Sequence, residues 1–218
     1  MRLYMRYPAF PKFNPKEIES LRIRCSLLLN HSTPISDVMK IEHLRSGPKT
    51  AAVLVPFCNF QGVPSLIFTL RSTAVSTHKG QVSFPGGHIN DGEGAIEAAI
   101  RETKEELGNG IGEIEIVTQL QAIPAISGTM VTPVIGFLTK DFTDYSSFTP
   151  NLDEVERVFI RSIDQLISPE YRTFETFHRD GRSIDIPVFG ANEKEERIWG
   201  LTAFILGDVL DNIIVQKT

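Results

Sequence analysis

Three carboxylates fall within five positions of one another in Arg101-Glu102-Thr103-Lys104-Glu105-Glu106-Leu107-Gly108. Acids at that density either form solvated helix surface or hold a hard cation through oxygen ligands. At about 100° per residue, Glu102 at zero puts Glu105 near −60° and Glu106 near +40°, so all three share an arc of about 100°. Ile96, Ile100, Thr103 and Leu107 gather on a separate stripe, predicted to face the core, while Glu97 and Lys104 are expected to face solvent. Glu102 and Glu106 are a like-charge pair four residues apart, which costs a helix a few tenths of a kcal/mol. Acids near a helix C-terminus also oppose the macrodipole. A divalent cation would offset both penalties. Arg101 pairs with Glu97 and can also reach Glu105, which puts a guanidinium where it could orient the carboxylates. On helical geometry alone, solvated surface and metal site stand level.

The segment ahead of the helix shifts that balance. SFPGGHINDGEG (83–94) places Gly86, Gly87, Gly92 and Gly94 around Glu93, with Pro85 stiffening the entry. Glycines let backbone carbonyls and amides approach a ligand closely. Such a loop alone marks an ordinary turn. Feeding straight into a one-sided acidic helix, it is a far rarer combination.

The helix should begin near Gly94 and end at Gly108, a good residue for the position just past a helix. Asn14-Pro15-Lys16-Glu17 reads as another helix start, with Asn14 as cap, and Ile18, Leu21, Cys25 and Leu28 give that helix an apolar stripe to about Asn30. Strand-like runs lie at 51–57, 64–71, 114–123, 130–139, 155–160 and 184–190, the first two joined by an Asn59-Phe60-Gln61-Gly62 hairpin turn. A last amphipathic helix is expected from about Leu201 to Val215. Strands outnumber helices, so a mixed α/β domain fits best.

The chain has 218 residues, 41% hydrophobic and 22% charged, with a net charge of −5. That balance argues against a non-specific nucleic-acid binder but allows a local basic pocket. Cys25 and Cys58 form no CxxC pair and read as free, buried thiols of a reducing compartment. No apolar run approaches the roughly 18 residues that span a bilayer. The first 16 residues carry Arg2, Arg6, Lys12 and Lys16 and no acid. That lean suits a mitochondrial presequence, whereas the early Pro8 and Pro11 and the lack of serine do not. The expectation is an intracellular protein, mitochondrial or cytoplasmic.

Gly87, Glu93, Arg101-Glu102, Glu105-Glu106 and Gly108 resemble the Nudix box, GX5EX7REUXEEXGU, with every fixed position met at its spacing. Thr103 and Asn109 stand where the pattern has aliphatics, and these are packing positions. The upstream FTLRSTAVSTHKGQVSFPGG (68–87) resembles the signature of the coenzyme A diphosphatase branch through Thr69, Arg71, Ser72, His78, Gly80, Val82 and Phe84 to Gly87. Ser76 replaces an arginine usual there, which weakens the coenzyme A assignment if that arginine meets a phosphate. DEVERVFIRSIDQL (153–166) and IWGLTA (198–203) also look like this branch, so the resemblance covers roughly residues 45 to 210.

The resemblance implies a Nudix fold, an α/β (α+β) mixed-sheet αβα sandwich over residues 45–218, preceded by an extension of residues 1–44 holding one helix. It implies Mg²⁺ or Mn²⁺ held by Glu102 and Glu106 and by the Gly87 carbonyl, with Glu105 joining them or acting as base. Glu93 would tie the loop to the helix through Arg101. Glu154 is a candidate base from a later loop, with a plain surface acid as its alternative. Arg71, His78 and Lys79 are candidate phosphate contacts. Trp199 is expected in the core, with stacking on an adenine as the alternative. The implied reaction is hydrolysis of coenzyme A or acyl-CoA to 3′,5′-ADP and 4′-phosphopantetheine or its acyl form. The implied partner is a small molecule, with no nucleic acid or membrane and with a homodimer allowed. The alternatives are another nucleoside diphosphate derivative (ADP-ribose, a dinucleotide, a nucleotide sugar) and a non-catalytic nucleotide-binding module.

Overall fold

The computed structural model describes residues 10–28, 49–73, 80–179, 182–190 and 196–215. Helix α1 spans Pro15–Leu28. Strands β1 (Thr50–Phe60) and β2 (Val63–Arg71) follow as an antiparallel hairpin. Gln61 and Gly62 both take positive φ, 51° and 77°, the two-residue primed turn whose twist matches the strands it joins. Strands β3 (Val82–Ser83) and β4 (Gly86–His88) lead into α2 (Ala95–Leu107). Next come β5 (Ile114–Gln119), β6 (Ile123–Pro124), β7 (Met130–Phe142) and β8 (Val155–Ser162). The short α3 (Ile163–Leu166) precedes a separate ribbon of β9 (Arg172–Arg179) and β10 (Arg182–Phe189). Helix α4 (Gly200–Val209) runs on as a π-helical turn at Leu210–Ile214.

The main sheet has the path β3-β2-β1-β7-β5, with β4 on β1, β6 on β7 and β8 on β2. It is mixed because β1 and β7 run parallel while the other pairs are antiparallel. Alternation along β1 sends Ala52 and Leu54 to one face and Val55 and Phe57 to the other. Helix α2 covers the first face with Ala98, Ala99 and Leu107. Helices α1 and α4 cover the second. The result is the expected αβα sandwich.

Helix α1 starts where the sequence places it. Asn14 Oδ1 accepts hydrogen bonds from the amides of Lys16 and Glu17, and Ile18, Leu21 and Cys25 are buried. The preceding strap is pinned as well: Asn59, buried in β1, accepts from the Phe13 amide and donates to the Phe13 carbonyl, both at 3.0 Å. The Phe13 ring meets Phe57 and Phe137 edge-on, a geometry that adds to its area burial. Cys25 and Cys58 are free and buried.

Three expectations change. The last helix is not amphipathic in its setting, because β10 packs along its first part and α1 against its π-helical turn, with Ala203, Ile205, Leu206, Val209, Leu210 and Ile213 all buried. Strand β9 was not anticipated; its partner β10 was. Trp199 stands 43% exposed outside the core, with the Arg197 guanidinium 6.0 Å from its ring centroid.

Candidate active site

Helix α2 begins with the Gly94 amide donating to Glu97 at 2.7 Å and ends at Gly108, whose φ is 86°. Its buried residues are Ala98, Ala99, Thr103, Glu106 and Leu107. Ile96 and Ile100, assigned to the core stripe, are only half-buried. The buried arc is therefore rotated toward the acids, and Glu106 lies inside it. The reason is steric: Ala98 and Ala99 let the helix settle closely against β1 and β4, which draws the neighbouring carboxylate face under cover. Thr103 fits its apolar position by donating its hydroxyl to the Ala99 carbonyl at 2.6 Å. Burial then grades the three acids, with side-chain exposures of 53% at Glu105, 16% at Glu102 and 2% at Glu106.

Arg101 organises the opposite side. Its Nε and Nη2 donate to the two oxygens of Glu93 at 2.8 and 2.9 Å. Its Nη1 donates to Glu102 at 2.8 Å and Glu105 at 3.1 Å, and Nη2 also reaches the His88 carbonyl at 3.1 Å. The guanidinium, helped by the Asn90 amide, holds the Glu93 carboxyl down to about 2. One planar cation thus locks the glycine loop to the helix in a fixed fork geometry.

Gly87 faces the Glu102 carboxylate directly. A Cβ built at Gly87 would lie 2.4 Å from the carboxylate carbon and 2.5 Å from each oxygen. Only a bare Cα fits that approach. Behind it, the Pro85 carbonyl accepts from the Leu54 amide at 2.8 Å, which fastens the loop to β1.

Glu106 is the most perturbed acid here. Burial pushes its carboxyl up from 4.5 to about 8; Arg71 and the Gly86 amide oppose the rise, while Glu102 and Glu154 add to it. Arg71 Nη1 approaches Glu106 Oε1 at 3.6 Å. Glu106 Oε2 is buried with no hydrogen-bond partner among the described residues, an arrangement that costs free energy unless something else satisfies it. Glu154 sits on the turn before β8, half-buried, with its carbonyl accepting from the Ser72 amide at 2.8 Å. Arg71, Glu102, Glu106, Gly87, Glu93, Arg101 and Glu154 are thus gathered around one end of α2, with Glu105 at the solvent rim. His78 and Lys79, like Ser76, lie outside the described residues.

Among the described residues no three His, Cys, Asp or Glu side chains converge on one point, since Arg101 stands between Glu102 and Glu105. The residues nevertheless suit a hard divalent cation. Every donor is an oxygen, one buried carboxylate oxygen lacks a partner, and Gly87 leaves room beside Glu102. The sequence did not single out Asn151, whose amide donates to the Glu106 carbonyl at 3.3 Å. Its position after a Pro in a turn was the available signal.

A glycine loop braced by a guanidinium against a helix of graded carboxylates suits the binding of a hard divalent cation. The chain belongs to the Nudix family: the NUDIX domain model matches residues 48–180. It is 39% identical to mitochondrial coenzyme A diphosphatase NUDT8 of Mus musculus over 185 residues, covering 84% of this chain and 82% of that protein. The human protein of that name is 36% identical over 84% of this chain and 74% of its own length. Nudix hydrolase 15, mitochondrial, of Arabidopsis thaliana is 37% identical over 74% of this chain and 58% of its own length. The chain is a Nudix hydrolase, an enzyme class that acts on diphosphate bonds and generally uses divalent cations.

Proposed function

We propose that this enzyme hydrolyses the diphosphate bond of coenzyme A or its acyl derivatives, releasing 3′,5′-ADP and 4′-phosphopantetheine or acyl-phosphopantetheine. The observation that carries the reading is the buried Glu106 carboxylate beside Glu102 and Gly87, in a chain 39% identical to a coenzyme A diphosphatase. Glu102 and Glu106 would hold Mg²⁺ or Mn²⁺ with the Gly87 carbonyl, and Glu105 would join them. That cation supplies charge neutralisation at the phosphate oxygens and a more acidic attacking water. Arg101 keeps Glu102 aimed while Glu93 keeps Arg101 aimed, as supporting residues do around metal ligands. Glu154 accepts the proton as water attacks phosphorus and the bridging P–O bond breaks. Arg71 neutralises a phosphate oxygen, with His78 and Lys79 as further contacts.

The same reading takes residues 45–218 as the Nudix domain and residues 1–44 as an extension with one helix. It takes a small molecule as the partner, rather than nucleic acid or membrane, and allows a homodimer, which light scattering resolves. A mitochondrial location is supported by the names of the similar proteins. Among the described residues no helix is long and apolar enough to cross a membrane.

Ser76, in place of an arginine usual in the coenzyme A branch, favours a second reading: hydrolysis of ADP-ribose, a dinucleotide or a nucleotide sugar. A panel of these with coenzyme A and acyl-CoA, in Mg²⁺ and in Mn²⁺, separates the two. Release of 3′,5′-ADP supports the first reading. Turnover confined to the other diphosphates overturns it, and tight binding with no turnover of any would mark a nucleotide-binding module.

A further inference from the structure

The turn that carries Glu154 is bonded to the end of the helix that carries Glu106, and we propose that Asn151 is the positioning residue that sets Glu154 against Glu106. The inference rests on the reading of Glu154 as proton acceptor given above. The last carbonyls of a helix lack partners within it. In α2, the Thr149 amide donates to the Leu107 carbonyl at 2.9 Å and the Asn151 amide to the Glu106 carbonyl at 3.3 Å. The Asn151 carbonyl then accepts from the amides of Glu154 at 3.0 Å and Val155 at 2.8 Å. Its side-chain Oδ1 accepts from the Asp153 amide at 3.2 Å, the local turn that Asn and Asp form readily. From the far side, Ser72 donates to the Glu154 carbonyl. Glu154 is thereby held between the end of α2 and the end of β2, next to Arg71.

Packing anchors both feet of the turn, through buried Phe148 and Val155, but not its tip. Asn151, Leu152 and Asp153 are all exposed, Leu152 at 70%. Between those feet, the bonds through Asn151 hold the tip against the end of α2. That the Glu154 charge acts on Glu106 agrees with the two being neighbours. Displacement of a reacting group by about 1 Å can cost on the order of a hundredfold in rate.

The test compares Asn151→Ala, Asn151→Asp and Glu154→Gln in the full chain, reading 3′,5′-ADP release from coenzyme A with Mg²⁺. Asn151→Ala keeps the backbone bonds and removes only the Oδ1 acceptor of the Asp153 amide, and the loosened turn should lower kcat about tenfold with KM within about twofold. Asn151→Asp keeps the Oδ acceptor and should restore kcat to within about threefold of wild type. An impaired Glu154→Gln beside an unaffected Asn151→Ala removes the Asn151 role alone. Loss in Asn151→Ala that Asn151→Asp does not restore removes it too. Wild-type turnover by Glu154→Gln removes the proton-acceptor reading and the Asn151 role with it. Where coenzyme A is not turned over, the same variants are read on ADP-ribose, which separates a failed substrate assignment from a failed positioning role.

Discussion

Arg101 grips Glu93 with two nitrogens at 2.8 and 2.9 Å and spends its remaining nitrogen on Glu102 and Glu105. The loop and the carboxylate helix are therefore aligned by one side chain. Arg101→Lys keeps the charge and loses the fork. The expected result is a 10- to 100-fold fall, roughly, in activity or metal affinity, the usual cost of losing support behind a ligand. A metal titration of turnover checks it, and unchanged turnover at every metal concentration would contradict the bracing role.

Glu106→Gln should abolish turnover while leaving the circular dichroism spectrum unchanged. The amide is isosteric and already suits a site where the acid prefers to be neutral, so the fold should not suffer. Full activity in this variant would sink the metal assignment.

Gly87→Ala drives a methyl group to 2.5 Å from the Glu102 oxygens. Either the loop or Glu102 must shift. The expected outcome is at least a tenfold rise, roughly, in the metal concentration needed for half-maximal rate, measured by Mg²⁺ titration.

The raised Glu106 carboxyl has consequences for pH. Between the ordinary 4.5 and about 8, the folded metal-free protein holds a proton that the unfolded chain has released. Stability supplied by this group is thus complete below about 4.5 and is lost as pH rises through about 8. Glu93, pulled down to about 2, acts in the opposite sense only below 4.5, so the two windows do not overlap. In EDTA, the melting temperature should fall from pH 5 to pH 8 more steeply for wild type than for Glu106→Gln. Metal binding must expel the same proton, so apparent Mg²⁺ affinity should rise by up to about tenfold per pH unit below 8. Calorimetry in buffers of different ionisation enthalpy would count the proton released.

The bounds of α2, the cap of α1 and the β1–β2 turn were all legible, because each is written in short-range residue types: Gly94 and Gly108, Asn14 and Pro15, Gln61-Gly62. The members of the acidic cluster were legible for the same reason. The depth of Glu106 was not, since a helical wheel gives direction without neighbours, and the closeness of α2 to the sheet depends on Ala98 and Ala99 meeting β1. Strand β9 reads RTFETFHR, polar and mostly exposed, and becomes a strand through pairing with β10. Asn151 was hidden because its bonds to Glu106 and Glu154 run through its backbone, which no side-chain pattern records.

The strap that Asn59 clasps decides where this protein can be shortened. The family match begins at residue 48, and cloning from that edge would discard Phe13, Ile18, Leu21 and Cys25 together. Val55, Phe57 and Phe137 would then lose the Phe13 and α1 side of their cover, leaving α4 alone on that face, and Asn59 would lose both bonds to Phe13. The smallest autonomous piece therefore starts no later than Phe10, whose amide is already tied to Asp164. A shorter expression product should come out insoluble while its Nudix box remains intact.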